Sequence, residues 1–135
     1  MEIMQAIDVD KNHLEKFLHH NMQIELEKFL KEGYVVRNHE EIIGCFSLVA
    51  LGNDAYWLKQ LYVIQHEAMK LPRIVETILI IAKEEMQAKV IYAHSEQPVT
   101  DLLLQSLSFS LQQEEKESVP IKYDKGHWWT YKVSS

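Results

Sequence analysis

The chain is short of the residues that break or bridge a fold: its 135 residues include one cysteine, three prolines and four glycines. With Cys45 alone, no disulfide can form within the chain, so a disulfide framework is excluded and a reducing compartment is the simple expectation. No hydrophobic run approaches a membrane span. The longest aliphatic stretch, residues 78–82, is far below the roughly 20 residues that a spanning helix needs. The N-terminal MEIMQAIDVD carries early acids and no extended apolar region, so it does not read as a signal peptide. Positive charge is not in excess either. Lys and Arg number 14 against 20 Asp and Glu, a formal charge of -6. That balance argues against a nucleic-acid partner, because nothing in it favours a phosphate backbone. The densest basic segment, residues 116–125, is interleaved with acids. A soluble cytoplasmic protein, with no membrane or nucleic-acid partner, is the expectation.

What is present is core material. Hydrophobic residues make up 47% of the chain, and a single domain of this size buries about two-thirds of its unfolded surface. Residues 2–7 alternate weakly, as in a first strand. Asp8 and Asp10 can cap a helix in which Leu14, Phe17 and Leu18 fall at helical spacing. A second helix reads from about 22 to 31, with Leu26, Phe29 and Leu30 on one side and Gly33 as its C-terminal glycine. Residues 34–37 and 42–51 are β-rich and flank a polar turn of hairpin length. A second turn at 52–54 leads to residues 56–63, the third strand of an antiparallel meander.

Pro72 suits the first turn of a helix. The apolar face of that helix is Ile74, Val75, Ile78, Leu79, Ala82 and Met86, and it should end near Ala88. Residues 89–94 are a short apolar strand, so strand, helix, strand form a βαβ unit with two parallel neighbours. A short helix opening at Pro98 or Thr100 turns Leu103, Leu104 and Leu107 inward. Residues 121–123 and 128–133 read as a closing hairpin across 124–126. No repeat, low-complexity tract or linker interrupts the chain, so residues 1–135 read as one α/β domain.

Three segments carry a resemblance. Glu41-Ile42-Ile43-Gly44 opens the third strand with a glycine; Leu58-Lys59-Gln60-Leu61-Tyr62-Val63 ends the fourth; Gln97-Pro98 leads to Leu107-Ser108-Phe109 around the short helix. With the element order, these resemble the GNAT family of N-acetyltransferases over nearly the whole chain. The resemblance implies a mixed, mostly antiparallel sheet of six or seven strands flanked by about four helices. It further implies an acetyl-CoA-dependent N-acyltransferase acting on a small-molecule or peptide amine. Backbone groups of Leu61, Tyr62 and Val63 would hold the pantetheine arm, and Lys70, Leu71, Arg73 and Gln97 would lie against the rest of the cofactor. The implied cofactor position is a splay between two parallel strands ending at Val63 and His94.

The same resemblance exposes departures. Family members follow the fourth strand with a glycine-bearing loop whose consecutive N–H groups cradle the pyrophosphate. Here residues 68–73 read AMKLPR: Leu71 and Arg73 stand at the glycine positions, and Pro72 removes a donor. Leu104 stands where a tyrosine often protonates the leaving thiolate, Trp57 where a glutamate often serves as base, and Ser108 where a glycine precedes the phenylalanine. The alternative is therefore a non-catalytic binding or dimerisation module of this fold that has lost cofactor binding, with a homodimer as one form.

Among candidate catalytic groups, His94 ends a strand near Glu96, and a neutral histidine could take the proton from an ammonium; Tyr62 ends the neighbouring strand, with His66 and Glu67 just beyond. A strand-end histidine bonded to backbone is the plainer reading of His94. The adjacent His19 and His20 point about 100° apart on a helix, so they do not make a chelating pair, and no metal is expected. Cys45 sits mid-strand in apolar company, as an inert buried thiol does. Of Trp128 and Trp129, one should enter the core and the other face solvent or a partner. Residues 112–117 read as a solvated acidic loop.

Overall fold

In the computed structural model, which describes residues 1–112 and 126–133, seven strands join one sheet. In chain order they are β1 (Glu2–Gln5), β2 (Gly33–Asn38), β3 (Glu41–Gly52), β4 (Ala55–Val63), β5 (Val90–Ser95), β6 (Ser110–Leu111) and β7 (His127–Lys132). Their order across the sheet is β1-β2-β3-β4-β5-β7-β6. Four helices accompany them: α1 (Lys11–Asn21), α2 (Leu26–Glu32), α3 (Leu71–Glu84) and α4 (Pro98–Ser106). The class is α/β with a mostly antiparallel sheet, as the element order implied; β4 and β5 are the parallel pair. The chain divides into two compact units, Met1–Val49 with Lys59–Leu71, and Ala50–Leu58 with Pro72–Ser135.

In the first unit, Asp10 starts α1 by accepting the Asn12 and His13 backbone N–H groups at 2.9 and 3.1 Å, two of the donors that a helix start leaves unmade. The helix stops where the N–H groups of Met22 and Gln23 both turn back to the Leu18 carbonyl and Gln23 takes a positive φ of 52°. The expected second helix from 22 therefore begins only at Leu26. Gly33 is not its left-handed cap. It is already extended, at φ -91° and ψ 153°, and a side chain there would strike the Phe29 carbonyl at 2.4 Å. β1 likewise ends earlier than expected, giving way to a 3-10 turn at Ala6–Asp8. The core gathers Ala6, Val9, Leu14, Leu18, Phe29, Val35 and Cys45, with Met22 and Tyr62 packed against it.

In the second unit, the turn into β4 places Asn53 and Asp54 at φ 53° and 61°, the doubly left-handed hairpin turn that matches strand twist. β5 alternates strictly between half-buried and buried residues. Ile91, Ala93 and Ser95 share one face, and Tyr92 and His94 the other. β7 pairs along the whole of β5, from Val90 opposite Lys132 to Ser95 opposite His127. α3 buries Ile74, Val75, Ile78 and Ala82 but ends at Glu84, because the Ala88 N–H turns back to the Ala82 carbonyl beside a left-handed Gln87. The expected strand at 121–123 and its turn at 124–125 lie outside the described residues, as does most of the acidic segment.

Candidate functional site

The end of β4 is organised by Gln60, which has a positive φ of 58° inside a strand. Such a residue interrupts the alternation of a strand and re-aims the side chains after it. Two neighbours on β3 hold it. Ser47, nearly fully buried, donates its hydroxyl to Gln60 Oε1 at 2.9 Å, and the Cys45 thiol faces the Gln60 carbonyl at 3.8 Å. Leu61, Tyr62 and Val63 come directly afterwards. Gly44 lies against their backbone: a Cβ there would sit 2.6 Å from the Tyr62 carbonyl oxygen. The Tyr62 hydroxyl donates to Asn21 Oδ1 at 3.2 Å, and its ring lies 6.1 Å from that of Phe17. Its side chain is thus engaged with the C-terminal turns of α1.

Beyond Val63, residues that the resemblance places at a phosphate loop form a 3-10 helix, Gln65–Lys70. Leu71 is ordinary right-handed helix, at φ -55° and ψ -45°, and its N–H is spent on the Ala68 carbonyl. No residue between Ile64 and Arg73 has a positive φ, so this backbone asks for no glycine. The Lys70 ammonium is 2.6 Å from Glu67 Oε2. That hydrogen bond, helped by the Lys70 and His66 charges and opposed by burial, holds the Glu67 carboxyl below its ordinary value. His66 is exposed. Leu61, Tyr62, Val63, Lys70 and Leu71 all belong to the first unit.

Arg73, His94 and Gln97 belong to the second. Arg73 is exposed in the first turn of α3 and makes no ion pair with the described residues. His94 stands opposite Trp128 in the β5–β7 ladder. The ring of Trp128 lies 5.0 Å from the imidazole and 5.5 Å from the indole of Trp57. Trp129, on the opposite face, is buried, as the alternation required. Gln97 caps α4 through its backbone rather than its side chain: its carbonyl accepts from Ser95 Oγ and the Asp101 N–H, both at 3.0 Å.

Asp101 is the organising residue that the sequence reading missed. Its two carboxylate oxygens meet Trp129 Nε1 at 2.9 Å and His127 Nδ1 at 3.3 Å. Burial pushes its pKa up, but hydrogen bonds from Trp129, Ser95 and His127 outweigh that and leave it below the ordinary value. The one local signal was an acid in the first turn of a helix, where the dipole favours it. Gln60 and Ser47 gave no local signal.

Leu104 is buried and can carry no proton. Ser108 adopts φ 72°, a left-handed geometry that glycine takes at no steric cost. Cys45 is fully buried, and burial pushes its thiol up to about 12. Among the described residues, no cluster of His, Cys, Asp and Glu could hold a metal ion, and no helix is long and apolar enough to cross a membrane.

No protein-family model and no curated protein matches the chain. Solved structures do. A GNAT-family acetyltransferase of Staphylococcus aureus Mu50 superposes with a TM-score of 0.70 at 12% identity, covering 98% of this chain and 99% of that one. The Campylobacter jejuni N-acetyltransferase PseH, in complex with acetyl coenzyme A, gives 0.68 at 16% identity over 98% and 99%. A Bacillus subtilis acetyltransferase in complex with CoA gives 0.72 at 14% identity over 98% and 99%. The chain therefore has the fold of the GNAT-family acetyltransferases.

Proposed function

We propose that residues 1–135 act as a single GNAT-like domain that transfers an acetyl group from acetyl-CoA to an amine. The observation that carries this reading is the likeness in fold, extending over 98% of this chain and 99% of an N-acetyltransferase solved with acetyl coenzyme A. In this reading the backbone of Leu61, Tyr62 and Val63 receives the pantetheine arm. The residues present fit the cofactor through that strand end and through charge, not through a glycine cradle. Leu71 has its N–H committed, Pro72 has none, and Lys70 is already paired with Glu67. Arg73, without an ion pair among the described residues, is then the cation for the phosphates, with Gln97 a further contact.

Acetyl-CoA supplies the acetyl group as an activated thioester. His94 takes the proton from the acceptor ammonium, which readies the amine lone pair. Tyr62, anchored on Asn21, keeps the strand end in place rather than moving protons. Holding amine and thioester together provides much of the rate without a dedicated acid, which suits a site where Leu104 is buried and aprotic. That same leucine, with Trp57 at the base position, favours the second reading, a non-catalytic module of the same fold.

Isothermal titration with acetyl-CoA separates the two readings. Binding should weaken with added salt and be lost in Arg73→Ala, whereas Lys70→Ala should have the smaller effect. Absence of both heat and thermal shift at millimolar cofactor would rule out the transferase.

A further inference from the structure

We propose that His127, oriented by Asp101, is the residue that delivers the proton to the departing thiolate of CoA. This inference rests on the acetyl transfer proposed above, which moves two protons: one leaves the acceptor ammonium and one must reach the sulfur. His94 receives the first. Proximity lowers the barrier but supplies no proton for the second. The Asp101 carboxylate is fixed from three sides. Oδ1 accepts the Trp129 indole N–H at 2.9 Å, Ser95 is a further hydrogen-bond partner, and Oδ2 lies 3.3 Å from His127 Nδ1. Ser95 and Trp129 are only 2% and 6% exposed, so the acid is anchored on buried groups. Those bonds favour its ionised form, and an ionised carboxylate only accepts. The contact with His127 is therefore favourable when Nδ1 carries the hydrogen, which leaves Nε2 as the nitrogen that gains and loses a proton. A carboxylate sets the tautomer and orientation of a catalytic histidine in this way.

Register places the two imidazoles. His94 stands opposite Trp128 on one rung of the β5–β7 ladder, and His127 stands opposite Ser95 on the next. Successive strand residues point to opposite faces, and the contact with Asp101 puts His127 on the face that carries α4. Both histidines lie in the second unit, at the same end of β5 and on opposite sides of the sheet. Gly126, at φ 84°, lets the chain pass so near that a Cβ there would strike the Ser95 carbonyl, which seats His127 at the strand end. Glu96 is exposed at that end; the same Cβ would lie 2.9 Å from its Cγ and 3.0 Å from His94 Cε1. The His127 side chain is 59% exposed, so its ring exchanges protons with solvent. Proton removal and proton delivery thus have separate groups. His94 takes the ammonium proton, the N–C bond forms, the C–S bond breaks with its electron pair on sulfur, and His127 Nε2–H supplies the proton there. Each imidazole then returns to its starting state through solvent.

Histidine ring-nitrogen NMR of the 135-residue chain is the first test, and it needs no turnover. In the free protein His127 should show a protonated Nδ1 and Nε2 as the exchanging nitrogen. Adding CoA should shift the Nε2 resonance, whereas CoA lacking its sulfur should not. In kinetics, His127→Gln should lower kcat about 100-fold and leave KM for acetyl-CoA unchanged; circular dichroism checks that this exposed site keeps the fold. Asp101→Asn retains an acceptor for Trp129 and should lower kcat in the same manner. The double variant should fall no further than His127→Gln alone, as residues that act as one unit do, whereas a merely structural Asp101 would add its own loss. No heat with CoA, or binding with no acetyl transfer, overturns the acetyl-transfer reading and this inference together. CoA binding that leaves the Nε2 resonance in place, or turnover that His127→Gln leaves unchanged, overturns this inference alone.

Discussion

Asp101 sits in the first turn of α4, where an acid is favoured by the helix dipole, yet its decisive partners come from β7. Trp129 is only 6% exposed and gives its indole N–H to this carboxylate. Asp101→Ala should leave that buried donor unmade and cost about 1–3 kcal/mol, measurable by urea denaturation. The pH dependence has a definite sign. Because the folded pKa lies below the ordinary 3.8, the charged form contributes stability above that pH and loses it as pH falls further. The stability gap between wild type and Asp101→Asn should therefore narrow below pH 3.8. Cys45 has the opposite sense: burial raises its thiol from 9.0 to about 12. The native protein at pH 8 should resist a thiol reagent that reacts at once in denaturant. Its contribution to stability is intact below pH 9.0 and fades as pH climbs toward 12. Prompt native labelling would show that Cys45 is not buried.

Elements carry the next level of constraint. Gly44 on β3 is pressed to the backbone of Tyr62 and Val63, residues given the cofactor in the proposed function. Gly44→Ala must push these apart, at a cost of about 1–3 kcal/mol, and should raise KM for acetyl-CoA more than it lowers kcat. The C-terminus of α4 shows the reverse opportunity. Ser108 holds φ 72°, a conformation costing a side-chain-bearing residue about 1 kcal/mol more than glycine. Ser108→Gly should raise Tm by about 4 °C; an unchanged or lower Tm would mean that the serine hydroxyl repays the strain. Element positions were largely legible before the structure. The apolar face of α3 and the Asn53-Asp54 turn arise from local spacing and turn chemistry. The boundaries that shifted, at Gln5, Met22 and Glu84, depend on capping bonds and a 3-10 helix whose competing local geometries differ little in energy.

For the whole molecule, a charge of -6 and an isoelectric point near 5.6 place the solubility minimum close to that pH, where self-repulsion vanishes; turbidity measured from pH 4 to 8 should peak there. The amino-acid pattern by itself determined the α/β class, the helix and strand succession and the inert character of Cys45. Each of these comes from period, turn residues and hydrophobicity within a short window. Only the tertiary structure decided that Gln60 is left-handed, that Tyr62 is tied to Asn21, that Lys70 is neutralised by Glu67 and that Asp101 joins α4 to β7. Three of these four depend on residues 13 to 41 positions apart, and such contacts exist only once the backbone has closed. The fourth is local but needs a 3-10 turn to bring acid and base together. Spacing can nominate the residues of a site, while burial and long-range hydrogen bonds determine which of them remain available for chemistry.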